Sequence, residues 1–195
     1  GVNRLIDRGD SQPTQEQIDE CLAVYQHMIE IGAQVIMISH TSMWGTKMHE
    51  NAEYIQMLKN DFGFEGFIIS DWDSIEKCTG SNLYENVCLA VNAGIDMLME
   101  AGNYEEARQA IVDGVENGDI PEERVDDAVR RIIQVKLDAG LFDDPYIENF
   151  DPTYSFNSDR SHEFARLLAA ESIVPMKLGD YATIEPGVRV LVMDL

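Results

Sequence analysis

At 195 residues, 45% of them hydrophobic, the chain is long enough to bury one substantial core and to begin a second domain. Its 36 acidic against 14 basic residues give a net charge of -22, which repels phosphate backbones and anionic lipid, so neither nucleic acid nor a membrane surface is expected as a partner. No run reaches the roughly 18 apolar residues of a membrane span, and the N-terminus lacks the charged-then-apolar layout of a signal peptide.

Thr14 followed by Gln17 makes a capping box, and Ile18, Cys21, Leu22, Tyr25, Met28 and Ile29 recur at helical spacing until Gly32. The spacing predicts an amphipathic helix with Cys21 in its apolar stripe, packed as a small hydrophobe. Val35 to Ile38 is a short continuous apolar run, which predicts a strand buried on both faces, as parallel sheets require. A second helix is expected over 51–62, stopped at Gly63, and a second strand over 66–69, closed by Ser70, Asp71, Trp72 and Asp73. A third unit follows, with a helix over 83–93 and a brief strand from Ile95 to Met99. Asn103 with Glu106 is expected to cap a helix running to Gly118, and Pro121 to open a longer one with Gly140 just past its end. The chain then turns polar and irregular around Pro145 and Pro152, as an interdomain linker does, before a helix over 162–172 and a final strand over 188–193.

Alternating helices and strands with short links predict an α/β fold with a parallel sheet. A complete (β/α)8 barrel needs roughly 250 residues, so the expectation is a partial one of about three βα units. The domains expected are the C-terminal part of such a barrel over 1–142, a linker over 143–158, and over 159–195 the first elements of an α/β sandwich domain. An open set of three parallel strands leaves edges unpaired, so the isolated piece is expected to associate.

Catalytic groups of such barrels sit at the C-terminal ends of strands, which is where Asp71 falls. On position alone two readings stand: the carboxylate attacks an anomeric carbon while the indole of Trp72 holds a sugar ring, or it bonds backbone amides of the next loop. His40 ends the first strand, and Trp44, Lys47 and His49 follow on its loop, where they could line the same pocket. His49 reads as a hydrogen-bonded structural residue. Asp96 reads as a structural acid inside the third strand, with a pocket wall as the alternative, and Glu100 stands at that strand's tip. The histidines, His27, His40, His49 and His162, do not pair with each other or with cysteine at ligand spacing, so no metal and no cofactor is expected. Cys21, Cys78 and Cys88 have no CxxC spacing and read as free thiols. GxGxxG, GxxxxGK[ST] and GxSxG do not occur, which disfavours nucleotide enzymes and serine hydrolases.

The run from Gly63 to Trp72, GFEGFIISDW, resembles the nucleophile segment of glycoside hydrolase family 3. Val35 to Ser39 with Lys47-Met48-His49, Ala93 to Met99, Ile120 to Ile132, and Gly140-Leu141-Phe142 agree with that family in order and spacing, most of all with its β-glucosidase and β-glucan exohydrolase branch. The resemblance implies retaining hydrolysis of terminal β-D-glucosyl residues from a β-glucoside or oligosaccharide, with Asp71 as nucleophile and Trp72, Trp44, His40 and Lys47 as substrate contacts. It implies no cofactor.

Retention needs a second carboxyl group roughly 5 Å from the first, and in the family it belongs to the following domain. The remainder of a longer parent chain would then complete the barrel and the site, and residues 1–195 alone are expected to be inactive. The compartment is left unassigned, because Gly1 is no initiator methionine. His40 stands where the family often has tyrosine, Met43 and Trp44 shift a tryptophan by one position, and Pro175 interrupts a leucine-rich stretch. These departures leave a non-catalytic glycan-binding relative as the alternative, and an N-acetylglucosaminidase of the same family as another.

Overall fold

The computed structural model describes residues 8–146, 157–174, 187 and 189. The chain divides into two compact units, Gly1–Tyr146 and Ile147–Leu195.

In the first unit the order is β1 (Asp10–Ser11), α1 (Gln15–Glu30), β2 (Val35–Met37), β3 (Ser42–Met43), β4 (Thr46–Lys47), α2 (Ala52–Asn60), β5 (Phe67–Ile69), α3 (Leu83–Ala93), α4 (Tyr104–Asn117) and α5 (Glu122–Asp138), with single 3-10 turns at Met48–Glu50 and Ile75–Lys77. The architecture is α/β and rich in helix. Local signals explain most boundaries. Thr14 Oγ1 accepts from the Gln17 amide while Gln17 Oε1 accepts from the Thr14 amide, the reciprocal pair expected at the start of α1. Asn51 and Asn82 cap α2 and α3 from one side, each side-chain oxygen accepting from an amide of the first turn. Gly118, at φ 80°, closes α4 in the left-handed conformation that glycine adopts without strain.

β2 and β5 pair in parallel, Val35 opposite Phe67, Ile36 opposite Ile68 and Met37 opposite Ile69. The third expected strand is reduced to one parallel bridge between Ile69 and Met97. Helices cover one side of this sheet. Ile36, Ile38 and Ile68 pack into one core with Ile55 of α2, Val87 and Val91 of α3 and Ala107 of α4. β1, β3 and β4 form a small separate sheet that periodicity did not predict, since two-residue strands carry no pattern.

Three sequence expectations are corrected. β2 is not buried on both faces: Val35 and Met37 are 46% and 53% exposed, while Ile36 between them is buried. Cys21 is exposed, and Ile18 is the one buried residue of α1. Cys21, Leu22 and Tyr25 border an open cavity of about 250 Å³ shared with Met37, Met43 and Met48, while Ile29 packs against the core. Asn103 makes no cap bond to α4, because its side-chain amide donates to Glu76 Oε1 at 2.8 Å.

Gly66 has a steric rather than a conformational reason. A Cβ there would lie 2.1 Å from the Gln34 carbonyl oxygen and 2.7 Å from the Phe64 ring, so the turn into β5 passes directly over the turn into β2. Gly66→Ala is expected to cost about 1–3 kcal/mol in urea unfolding. A loss within about 0.5 kcal/mol, the ordinary range of a harmless surface change, would mean the backbone yields there.

In the second unit α6 (Asp159–Glu171) is capped by Ser158, whose hydroxyl accepts from the Ser161 amide at 3.2 Å, and buries none of its residues. The strand expected over 188–193, most of the expected linker and Pro175 lie outside the described residues.

Candidate active site

Parallel pairing puts the C-terminal ends of β2 and β5 side by side, so His40 and Asp71 leave the sheet at the same end. His40 Nε2 stands 3.3 Å from Asp71 Oδ2, with both side chains largely shielded from solvent. The other ring nitrogen, Nδ1, is hydrogen-bonded to the buried hydroxyl of Ser74. Asp71 Oδ1 accepts from the Trp72 amide at 2.6 Å. One carboxylate oxygen is therefore hydrogen-bonded, and the other lies close to the His40 ring.

The backbone of Asp71 is held as well. Its carbonyl accepts from Ser70 Oγ at 3.0 Å and from the Ser74 amide at 3.3 Å, and its N–H donates to His49 Nε2 at 2.9 Å. His49 is 1% exposed. Burial is the main force lowering its pKa to about 4; His40 and Lys47 add to this, and Asp71 opposes it. The ring is neutral at physiological pH. Its centroid lies 6.4 Å from that of His40.

The loop after Asp71 is tied to the end of the next chain segment. Met99 N–H donates to Ser70 Oγ at 2.7 Å, Asp73 N–H to the Met99 carbonyl at 3.0 Å, and Ala101 N–H to Asp73 Oδ1 at 2.9 Å. Glu100, at the tip as expected, is buried and turned away from solvent: Oε1 accepts from the Ile75 amide, while Oε2 has no hydrogen-bond partner among the described residues. Burial is the main force raising its pKa, with Asp73 and Glu76 adding to it.

Trp72 and Trp44 are 59% and 53% exposed, so both indole faces are available. Trp44 and Gly45 form the two-residue turn between β3 and β4 with φ of 48° and 83°, the left-handed pair that such hairpins need. For tryptophan this conformation is uncommon. Asp10 fixes the turn by accepting from the Gly45 amide at 2.7 Å. Lys47 lies on β4, two residues before His49. The structure thus joins Asp71, His40 and His49 directly, sets Trp72 beside Asp71 in the chain, and holds Trp44 and Lys47 on the neighbouring hairpin. Ser74 and Ser70 are site residues that sequence reasoning missed, and nothing in the local pattern marks either one.

Asp96 takes the structural reading. Its side chain is wholly buried, and its carboxylate accepts from Lys59, Arg124 and the Ile68 amide. Cys78 is buried and its thiol is pushed up to about 12, again by burial first, so it is no nucleophile at neutral pH. Among the described residues no group of three or more His, Cys, Asp or Glu side chains is placed to hold a metal ion.

Known proteins share this arrangement of elements. A periplasmic β-glucosidase of Salmonella typhimurium is 28% identical over 174 residues, 84% of this chain but 22% of its own length. Among solved structures, the Q683A mutant of an exo-1,3/1,4-β-glucanase from a Pseudoalteromonas species superposes with a TM-score of 0.72 at 30% identity, over 88% of this chain and 28% of that one. A β-glucosidase from Listeria innocua in complex with glucose gives a TM-score of 0.72 at 26% identity, over 84% and 23%. The chain therefore spans between 22% and 28% of the length of these relatives. Residues 6–135 match the model of the glycosyl hydrolase family 3 N-terminal domain, and the chain belongs to that family.

Proposed function

We propose that the protein hydrolyses terminal non-reducing β-D-glucosyl residues of β-glucosides or β-glucan oligosaccharides by retaining double displacement, with Asp71 as the nucleophile. The observation that carries this reading is a carboxylate at a strand tip, bonded at one oxygen by the Trp72 amide, with His40 beside the other, and lodged among groups that fix its backbone. In the first step Asp71 Oδ bonds to the anomeric carbon as the glycosidic C–O bond breaks, and the acid/base carboxyl protonates the leaving oxygen. In the second, that carboxylate takes a proton from water, whose oxygen displaces Asp71 from the anomeric carbon and restores its carboxylate. Trp72 and Trp44 offer ring faces to the sugar, and Lys47 and His40 supply polar contacts. The relatives' names, β-glucosidase and exo-1,3/1,4-β-glucanase, support the substrate class. The acid/base is assigned to no residue of this chain, so residues 1–195 alone are expected to bind sugar weakly and not to turn it over.

The same reading makes residues 1–142 the last three βα units of a (β/α)8 barrel, residues 143–158 a linker and residues 159–195 the start of an α/β sandwich domain. The exposure of Val35 and Met37 fits a sheet face that closure into a barrel would cover.

The test is mass spectrometry of the intact protein after incubation with a 2-fluoro-glucoside, which slows release of the glycosyl-enzyme. A covalent glycosyl adduct on the peptide carrying Asp71 is expected. A folded protein that gives no adduct with any of several 2-fluoro sugars would point to glycan binding without catalysis.

A further inference from the structure

We propose that His49 is a positioning residue for the nucleophile: a neutral imidazole protonated at Nδ1, which holds the Asp71 backbone through the bond accepted at Nε2. The proposal rests on the reading of Asp71 as nucleophile. The parallel ladder supplies the first reason. Ile38 N–H donates to the Ile69 carbonyl, and in a continuing ladder the Asp71 N–H would next find a carbonyl of the β2 strand. Ser70 and Asp73 send their amides the other way, to the carbonyls of Met97 and Met99. The Asp71 amide instead meets the imidazole at 2.9 Å, so His49 takes the place of the lost ladder carbonyl.

An amide N–H can only donate, so Nε2 must carry a lone pair and the ring proton must sit on Nδ1. A proton at Nε2, in the other tautomer or in the cation, would set two hydrogens against each other. The titratable and charged groups facing the ring are His40 after β2, Lys47 on β4 and the Asp71 carboxylate after β5. Two of these three disfavour a second positive charge there, and the ring has almost no contact with water. The acceptor state is therefore the stable one. Displacing the Asp71 backbone would misplace a carboxylate that has to attack in line, and a shift of about 1 Å in such a group can cost about 100-fold.

A residue that merely fills space could be replaced by leucine. A positioning acceptor could be replaced only by another acceptor, and the amide oxygen of glutamine reaches where Nε2 lies. Two measurements on the intact protein separate these roles. Long-range 1H–15N spectra with 15N-labelled histidine are expected to show His49 as the Nδ1–H tautomer, without titration from about pH 8 down to about pH 5.5. An Nε2–H tautomer, or titration near the ordinary histidine value of about 6.5, overturns the proposal, and this result does not depend on hydrolysis. Kinetically, His49→Leu is expected to lower kcat by about 10- to 100-fold at nearly constant KM, while His49→Gln stays within about 3-fold of wild type. Circular dichroism checks that both variants are folded. Equal losses in the two, or a loss confined to KM, would show a packing role instead. A folded full-length parent protein without activity would sink the hydrolase reading, and with it the positioning role, whatever tautomer the spectra report.

Discussion

Replacing Asp71 by asparagine in the full-length parent protein is expected to lower kcat for an aryl β-glucoside by about 10⁴-fold, some 5.5 kcal/mol of lost transition-state stabilisation, with KM little changed. The physical reason is that an amide oxygen is too poor a nucleophile to form the ester, while the shape of the site survives. Asparagine keeps an oxygen for the Trp72 amide, and its backbone still meets His49, Ser70 and Ser74. The loss should therefore appear in chemistry and not in binding or stability. Steady-state kinetics together with thermal unfolding would check it. Activity within about 10-fold of wild type would remove Asp71 from the mechanism and favour its alternative reading as a loop-bonding acid.

The largest stability effect is expected at Asp96. Its side chain is 0% exposed and accepts from Lys59 Nζ at 2.8 Å, from Arg124, and at its other oxygen from the Ile68 amide at 2.8 Å. Lys59 is itself buried, with its second bond to the Gly94 carbonyl, and burial pulls its pKa down while Asp96 pulls it back up. Arg131 braces the same cluster by bonding Asp127 and the Phe64 and Gly66 carbonyls. Asp96→Asn would leave Lys59, Arg124 and Arg131 facing Asp127 as the one remaining anion among them. Breaking a buried pair in this way costs about 3–5 kcal/mol, a large part of the roughly 5–15 kcal/mol that holds a domain together. Urea unfolding would read the loss. A change below about 1 kcal/mol would mean that desolvation already cancels the attraction. The double variant Asp96→Leu/Lys59→Met should lose less than Asp96→Asn, because it strands fewer charges.

Asp71 and Asp96 differ in how much of their role the sequence exposes. For Asp71 the position was legible, because a short apolar run ending in polar residues marks a strand tip, and that position is what makes it a candidate. Asp96 was legible as buried because it interrupts an apolar run. Its partners were not, since Lys59 and Arg124 come from α2 and α5 and meet only when both helices pack on the sheet.

Capping pairs, glycine stops and 3.6-residue periodicity are written locally, and they were enough for the α/β class, the helices and the strands β2 and β5. Burial was less legible. The apolar stripe of α1 looked like core, yet Cys21, Tyr25 and Met28 are exposed, because periodicity states which residues share a face and not whether anything covers it. For Asp71 the sequence indicated a shared pocket with His40 and His49 but not which atoms meet. His40, His49 and Ser74 lie between 3 and 31 positions away, and their convergence depends on the parallel register of β2 and β5 and on the turn at Met48–Glu50. By itself the sequence determined the family, the helical frame and the identity of the candidate nucleophile, all carried by local pattern. Only the tertiary structure decided what holds that nucleophile in place, because hydrogen-bond partners from separate elements are selected by packing and leave no spacing to read.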